Sequence, residues 1–237
     1  MSGARSRDAL ARLSPKTDPL TSLVLAMPVF VVYHVGLLFL DVRNGADLVT
    51  GLVLRLLDFD RLAYVGATLA IAAVLAFAAY RLRGEHAVHP RALLPVLAES
   101  AVLAVGMLVL CGWATSHLVP NATGDRALGV LPAIVLSAGA GFHEEVVFRV
   151  GLFGGLRRWA VARDRGPLAA FALAAVASAF VFSLAHYVGS LGDAFSLVSF
   201  VFRVVSGVYL AAVYHLRGFA VAVYTHTVYD LLVFLVL

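Results

Sequence analysis

Long apolar segments recur along this chain, and their recurrence constrains its fold more than any other feature. A helix that crosses a bilayer needs about 20 predominantly apolar residues. Seven segments near that length run from Leu20 onward. They are Leu20–Leu40, Leu62–Tyr80, Leu93–His117, Leu128–Leu156, Leu168–Leu191, Phe195–His215 and Phe219–Leu237. The sequence therefore predicts an all-α fold, a polytopic transmembrane helical bundle of about seven spans.

The composition excludes a soluble domain. Of the 237 residues, 62% are hydrophobic and 14% are charged, whereas soluble domains are roughly 45–50% apolar and about 25% charged. So few charged side chains cannot cover a soluble protein of this size. No basic run alternates with aromatic residues, so we expect no nucleic-acid partner. Cys111 is the only cysteine, which excludes an intrachain disulfide and a cysteine metal cluster.

The segments between the predicted spans indicate how the chain lies in the membrane. Apolar residues recur at helical spacing around 48–57, which predicts one interfacial helix. Basic residues concentrate in the N-terminal segment 1–19 and in alternate loops, so the positive-inside rule predicts a cytoplasmic N-terminus. We expect a single integral domain, 1–237, in the cell (inner) membrane, in contact with the lipid bilayer.

The predicted fourth span concentrates ionisable residues. Each such group costs about 2.5–3.5 kcal/mol to insert, and it is a functional candidate by default. Glu145 and Arg149 are four residues apart, so they share a helix face and are predicted to form a structural ion pair. Glu144 points about 100° away. It is therefore the carboxyl group left for general acid/base chemistry.

Two further spans carry polar residues. His186 is in the predicted fifth span, and His226 and Asp230 share one face of the seventh. Gathering these groups in one place avoids exposing them to lipid. Glu144 with the histidines and aspartate could activate water against a carbonyl carbon. Alternatively, Glu144, His186 and His226 could bind Zn²⁺ with an open position for water. Both arrangements lead to amide-bond hydrolysis.

Three ordered motifs identify a family resemblance. They are Glu144-Glu145-x-x-x-Arg149, Phe182-x-x-x-His186 and His226-x-x-x-Asp230. The chain resembles the CPBP superfamily of CAAX prenyl proteases and bacteriocin-processing (Abi) proteins, whose motifs EExxxR, FxxxH and HxxxN or HxxxD occur in this order on separate spans. The resemblance covers about residues 128–237, the predicted catalytic core.

The resemblance implies an intramembrane endopeptidase that acts on a membrane-embedded or lipid-modified peptide or protein. Glu144 would activate water with help from His186. His226 and Asp230 would stabilise the oxyanion or complete the site, although members of the family often have asparagine at the position of Asp230. The resemblance favours a glutamate mechanism without a metal or other cofactor. Zn²⁺ bound by Glu144, His186 and His226 is the alternative.

Three more residues are candidates for lining the cavity: His143, Phe182 and Arg203. Arg203 could bind a substrate carboxylate or a lipid phosphate. The main functional alternative is a non-catalytic membrane scaffold or a bacteriocin-immunity protein of the same family. A transporter and a bis-histidine haem protein are further alternatives. The sequence predicts neither the substrate nor the oligomeric state.

Overall fold

The computed structural model describes residues 18–40, 52, 56–57, 60–83, 88–118, 129–189 and 192–236. All regular secondary structure within these ranges is helical, which confirms the predicted fold class. The helices are α1 (Pro19–Phe39), α2 (Arg61–Leu82), a 3₁₀ turn (Pro90–Ala92), α3 (Leu93–Leu118), α4 (Val130–Gly139), a π-helix (Ala140–Phe153), α5 (Gly154–Val161), α6 (Pro167–Ala185), α7 (Leu197–Arg217) and α8 (Phe219–Val236).

Within the described residues, six stretches are long and apolar enough to cross a membrane, which confirms a polytopic bundle. They are Pro19–Phe39, Leu62–Arg81, Pro90–Ala114, Val130–Val161, Pro167–Ala185 and Leu197–Arg217. The seventh predicted span corresponds to α8, whose described apolar stretch, Phe219–Leu235, is shorter than these six. Most of the predicted interfacial helix at 48–57 and nearly all of the N-terminal segment 1–19 lie outside the described residues.

Local sequence signals set where several helices begin. The Asp18 side chain accepts a hydrogen bond from Thr21 N at 2.9 Å and thereby caps α1. Asp60 caps α2 in the same way through Ala63 N at 2.7 Å. Proline at the first position opens α6, where its missing N–H costs nothing.

The end of α6 differs from the prediction. The helix ends at Ala185, whereas the apolar run predicted a span that continues to Leu191. A turn follows the helix, and Gly189 adopts a φ of 90°, a conformation that favours glycine. His186 is therefore the first residue beyond the helix rather than a residue within the span.

The π-helix lies at the centre of the bundle. It joins α4 and α5 into one continuous helical stretch, Val130–Val161. In an 18-residue apolar window of this stretch 61% of the residues are buried, compared with 6% in the corresponding window of α2. The buried face of α8 packs against it at short range. A Cβ at Gly141 would lie 2.9 Å from the Val223 carbonyl oxygen, so only glycine permits this approach. The charged residues of the fourth predicted span consequently lie away from lipid.

Candidate active site

Glu145 is the centre of the buried charged cluster. Its Oε2 lies 3.3 Å from Arg149 Nε, one helical turn away. Its Oε1 accepts a hydrogen bond from His226 Nδ1 at 2.8 Å. All three side chains are buried. Glu145 thus links the π-helix to α8, which the spacing of residues along one helix could not predict.

Two other carboxylates converge on the opposite edge of the same imidazole. Glu144 Oε2 lies 3.8 Å from His226 Nε2, and Asp230 Oδ2 lies 3.7 Å from it. These separations exceed a hydrogen bond. Because His226 Nδ1 donates to Glu145, its Nε2 is the nitrogen that faces Glu144 and Asp230. The structure therefore brings four of the predicted site residues together, Glu144, Glu145, His226 and Asp230.

Phe182 connects His186 to this cluster. Its ring packs edge-on against His186, with ring centroids 4.9 Å apart, and against His226, with ring centroids 6.2 Å apart. The Arg149 guanidinium lies 4.6 Å from the centroid of the same ring, a cation–π contact. The predicted cavity-lining residue Phe182 is therefore a buried spacer between the two histidines.

His186 is held in one tautomer. Its Nδ1 donates to the Phe182 carbonyl oxygen at 2.9 Å, which leaves Nε2 as the acceptor nitrogen. His186 lies just outside the α6 span. Burial and then the charge of Arg203 lower the imidazole pKa to about 4, so His186 is neutral at physiological pH.

Arg203 lies beside His186, on α7. Its Nη2 donates to Asp193 Oδ2 at 2.6 Å, and its guanidinium lies 5.3 Å from the Tyr187 ring centroid. The Asp193 backbone N–H donates in turn to the His186 carbonyl oxygen at 2.8 Å. Arg203 Nη1 is buried and has no hydrogen-bond partner among the described residues. One guanidinium nitrogen thus remains available for an anionic group.

The structure places His143 in a second cluster. His143 Nε2 lies 3.2 Å from His34 Nε2, and His34 Nδ1 lies 2.6 Å from the Tyr64 hydroxyl. His143 Nδ1 lies 3.3 Å from the Gly139 carbonyl oxygen. This carbonyl can only accept, so the shared protons run from Tyr64 to His34, from His34 to His143, and from His143 to Gly139.

Sequence reasoning missed His34 and Tyr64. A histidine well inside the first span was itself a signal, because an ionisable side chain in a span needs a partner. His34 lies five residues before the end of α1 and is buried. Its partner Tyr64 comes from another helix, and no motif joins the two.

The arrangement of the carboxylates and histidines decides whether they could bind a metal ion together. No group of three or more His, Cys, Asp or Glu side chains within the described ranges is arranged to hold a metal ion. His226 Nδ1 is engaged with Glu145, which leaves Nε2, 3.8 Å from Glu144 Oε2, as the ring nitrogen that could bind a ligand.

One segment of the chain, which contains these site residues, is similar to a known protein family. Residues 126–232 match the family model described as type II CAAX prenyl endopeptidase Rce1-like. This segment, somewhat less than half of the chain, is similar to the CAAX prenyl endopeptidase family. The match confirms the predicted resemblance, and it contains all three motifs of the site. Searches of curated proteins and of solved structures found no match to the chain.

The family match supports a membrane protease of the CAAX type. The matched segment includes the π-helix, α6 and α7 and most of α8, while α1–α3 lie outside it. The helical bundle with its six apolar stretches makes the chain a multi-pass membrane protein. The family also implies substrates that are membrane-associated and prenylated.

Proposed function

We propose that this protein is an intramembrane endopeptidase in which Glu144 activates a water molecule against a peptide bond. The observation that carries the proposal is that the two adjacent glutamates have different partners. Glu145 is engaged by Arg149 and His226 Nδ1, whereas Glu144 faces His226 Nε2 across a 3.8 Å gap. One water molecule bridging such a gap contacts both groups.

The reaction requires two proton transfers through Glu144. The carboxylate takes a proton from water as the water oxygen bonds to the carbonyl carbon. The resulting tetrahedral intermediate carries an oxyanion. When the C–N bond breaks, protonated Glu144 gives the proton to the leaving amine. The same carboxyl group is then ready for the next turnover, and no other reactant is needed.

The two histidines have different roles in this scheme. His226 donates through Nδ1 to Glu145, so a proton on its Nε2 makes it a donor to the oxyanion. The carboxylates of Glu145 and Asp230 offset the charge of that imidazolium, because Glu144 holds a proton at this stage. His186 presents the unprotonated Nε2, which orients the attacking water as a hydrogen-bond acceptor.

The substrate is proposed to be a membrane-embedded or lipid-modified peptide. The free Nη1 of Arg203 beside His186 favours a peptide with a nearby anionic group, such as a C-terminal carboxylate. Asp193 holds the other side of the guanidinium. Because one side of the guanidinium is already paired, Arg203 would hold a substrate carboxylate through a single charge-assisted hydrogen bond rather than through a bidentate pair.

The test uses the purified full chain and a fluorogenic peptide with an S-prenylated cysteine near its C-terminus. Glu144→Gln should lower the cleavage rate by about 10²–10⁴-fold, the usual contribution of a general base. Glu99→Gln is the matched control, because Glu99 pairs with Arg217 outside the site. It should cleave at close to the wild-type rate.

Three outcomes would contradict the proposal. Full cleavage by Glu144→Gln would exclude the assigned base. Loss of cleavage after exhaustive chelation, with recovery on adding Zn²⁺, would replace the glutamate mechanism by a metal mechanism. Complementation of a deletion phenotype by Glu144→Gln would favour the alternative, a non-catalytic scaffold or immunity protein.

A further inference from the structure

A cavity separate from the candidate active site opens beside the other face of the π-helix. Its volume is about 550 Å³, within the range of small-molecule sites, about 300–1,000 Å³. Val146 and Val150 line it. They are two residues beyond Glu144 and Phe148 and therefore point roughly the opposite way. The cavity is thus distinct from the space around His226.

The walls of the cavity are largely apolar. Its long side consists of Val146, Val150 and Phe153, and the facing side includes Leu23 and Leu75. From Val146 to Arg157 the helical wall is about 15 Å long. Such a lining suits a hydrocarbon chain, because an acyl chain leaves no polar group of the walls unpaired.

One end of the cavity is cationic. Arg157 and Arg158 both line it, and no aspartate or glutamate does. Arg157 Nε is buried without a hydrogen-bond partner among the described residues. Arg149, Arg203 and Arg217 differ, because each has a carboxylate within 4 Å. Their partners are Glu145, Asp193 and Glu99. The charges of Arg157 and Arg158 therefore remain available to a ligand.

The cationic end lies where several helices begin or end. α1 begins at Pro19, α5 ends at Val161 and α8 begins at Phe219, and the cavity is lined by residues of all three helices. Helix ends of a membrane bundle lie at the level of the lipid headgroups. An anionic headgroup at this depth would meet the two arginines while its acyl chain extends toward the bilayer centre.

We propose that this cavity is a binding site for an anionic phospholipid, whose phosphate contacts Arg157 and Arg158 and whose acyl chain lies along Val146, Val150 and Leu75. A carboxylate at the end of a peptide substrate does not fit as well. Arg157 lies about 20 Å along the helix from Glu144, and the cavity faces away from that carboxylate. The inference does not depend on the proposed peptidase activity.

The test measures retained lipid by native mass spectrometry. The full chain is reconstituted in nanodiscs of mixed phosphatidylglycerol and phosphatidylcholine with the same acyl chains. Wild-type protein should retain phosphatidylglycerol about tenfold more than phosphatidylcholine, as expected for a charge-assisted hydrogen bond. The double variant Arg157→Gln/Arg158→Gln should bring the ratio close to one. The double variant Arg157→Lys/Arg158→Lys, which keeps both charges, should restore most of the preference.

A matched control separates this site from general surface charge. Arg163 lies just beyond the same helix and stacks on Trp159, with its guanidinium 4.3 Å from the ring centroid. It does not line the cavity, so Arg163→Gln should retain the wild-type ratio. Leu75→Trp, which fills the apolar part from α2, should lower retention of the lipid while both arginines remain.

The chemical source of the anion is resolved by competing ligands. If glycerol phosphate displaces phosphatidylglycerol and a fatty acid does not, the site binds free phosphate and the lipid assignment is overturned. If a fatty acid displaces it and glycerol phosphate does not, the site binds a carboxylate and the phospholipid assignment is likewise overturned. Equal retention of the two phospholipids by wild-type protein would overturn the proposal, as would an Arg163→Gln effect as large as that of the double variant.

Discussion

Two buried polar clusters share the π-helix, and they differ in charge. The first cluster contains Glu144, Glu145, Arg149, His226 and Asp230, all of them ionisable. The second contains Tyr64, His34 and His143, whose hydrogen bonds run in one direction through imidazoles that need no charge. Adjacent residues, His143 and Glu144, thus belong to different environments.

The difference shows how one helix can carry both reactive and supporting groups. Buried charges need compensation and are costly when a partner is lost. A neutral chain with every donor matched to an acceptor is less costly and fixes helix positions. We infer that the first cluster performs the chemistry and that the second holds the π-helix against α1 and α2.

The two clusters also come from different parts of the chain. The charged cluster lies entirely within 126–232, the segment that matches the CAAX prenyl endopeptidase family. The neutral cluster takes His34 from α1 and Tyr64 from α2, both outside that segment. The N-terminal helices therefore contact the helix that carries the site, although the family match does not extend to them.

The largest expected difference between the clusters concerns activity. Glu144→Gln removes the proposed base and should reduce cleavage by about 10²–10⁴-fold. His143→Gln, at the adjacent position, keeps hydrogen-bonding capacity in the neutral cluster and should stay within about tenfold of wild type. Initial rates on the prenylated peptide compare the two. Similar losses in both variants would remove the functional distinction between the clusters.

The next effect concerns stability. Glu145→Gln leaves Arg149 without its anionic partner in a fully buried position and should cost about 3–5 kcal/mol in the free energy of unfolding. The double variant Glu145→Gln/Arg149→Met removes the charge as well and should recover part of that loss. Unfolding in mixed detergent micelles measures both. A Glu145→Gln protein as stable as wild type would show that the ion pair is not structural.

A smaller loss is expected in the neutral cluster. His34→Phe preserves the ring but leaves the Tyr64 hydroxyl and His143 Nε2 without their observed partner, at a cost of about 1–3 kcal/mol. The same unfolding measurement applies. Because the cluster is inferred to position the π-helix, kcat should fall more than KM rises. An unchanged kcat with lower stability would restrict the cluster to a structural role.

The smallest effect is expected at the far end of the neutral chain. Tyr64→Phe removes one hydroxyl and its 2.6 Å hydrogen bond to His34, so about 1 kcal/mol of stability should be lost. Cleavage should remain close to wild type because the hydroxyl is the group in the chain furthest from Glu144. A loss of activity like that of Glu144→Gln would place Tyr64 in the catalytic machinery.

Much of the fold was predictable because hydropathy reports directly on the bilayer. The predicted spans and the described helices agree along most of their lengths. The exception is the end of α6, where the apolar residues after Ala185 belong to a turn. Hydropathy detects apolar residues and not the conformation of Gly189, so the turn was invisible to it.

The candidate site was predictable to the extent that motifs and intrahelical spacing define it. The hydrogen bond between Glu145 and His226 was not predicted, because it joins two helices. The cluster of His34, Tyr64 and His143 was missed for the same reason. The cavity beside Arg157 and Arg158 likewise depends on the packing of α1, α2, the π-helix, α5, α7 and α8.

The sequence by itself determined that this protein is a helical membrane bundle and which helix carries its buried charge. Both follow from the cost of polar groups in lipid and from the length of a span. Only the tertiary structure decided which groups meet between helices. That outcome depends on how each helix is rotated and how closely it approaches its neighbour, as Gly141 approaches Val223, and packing of the whole bundle sets both.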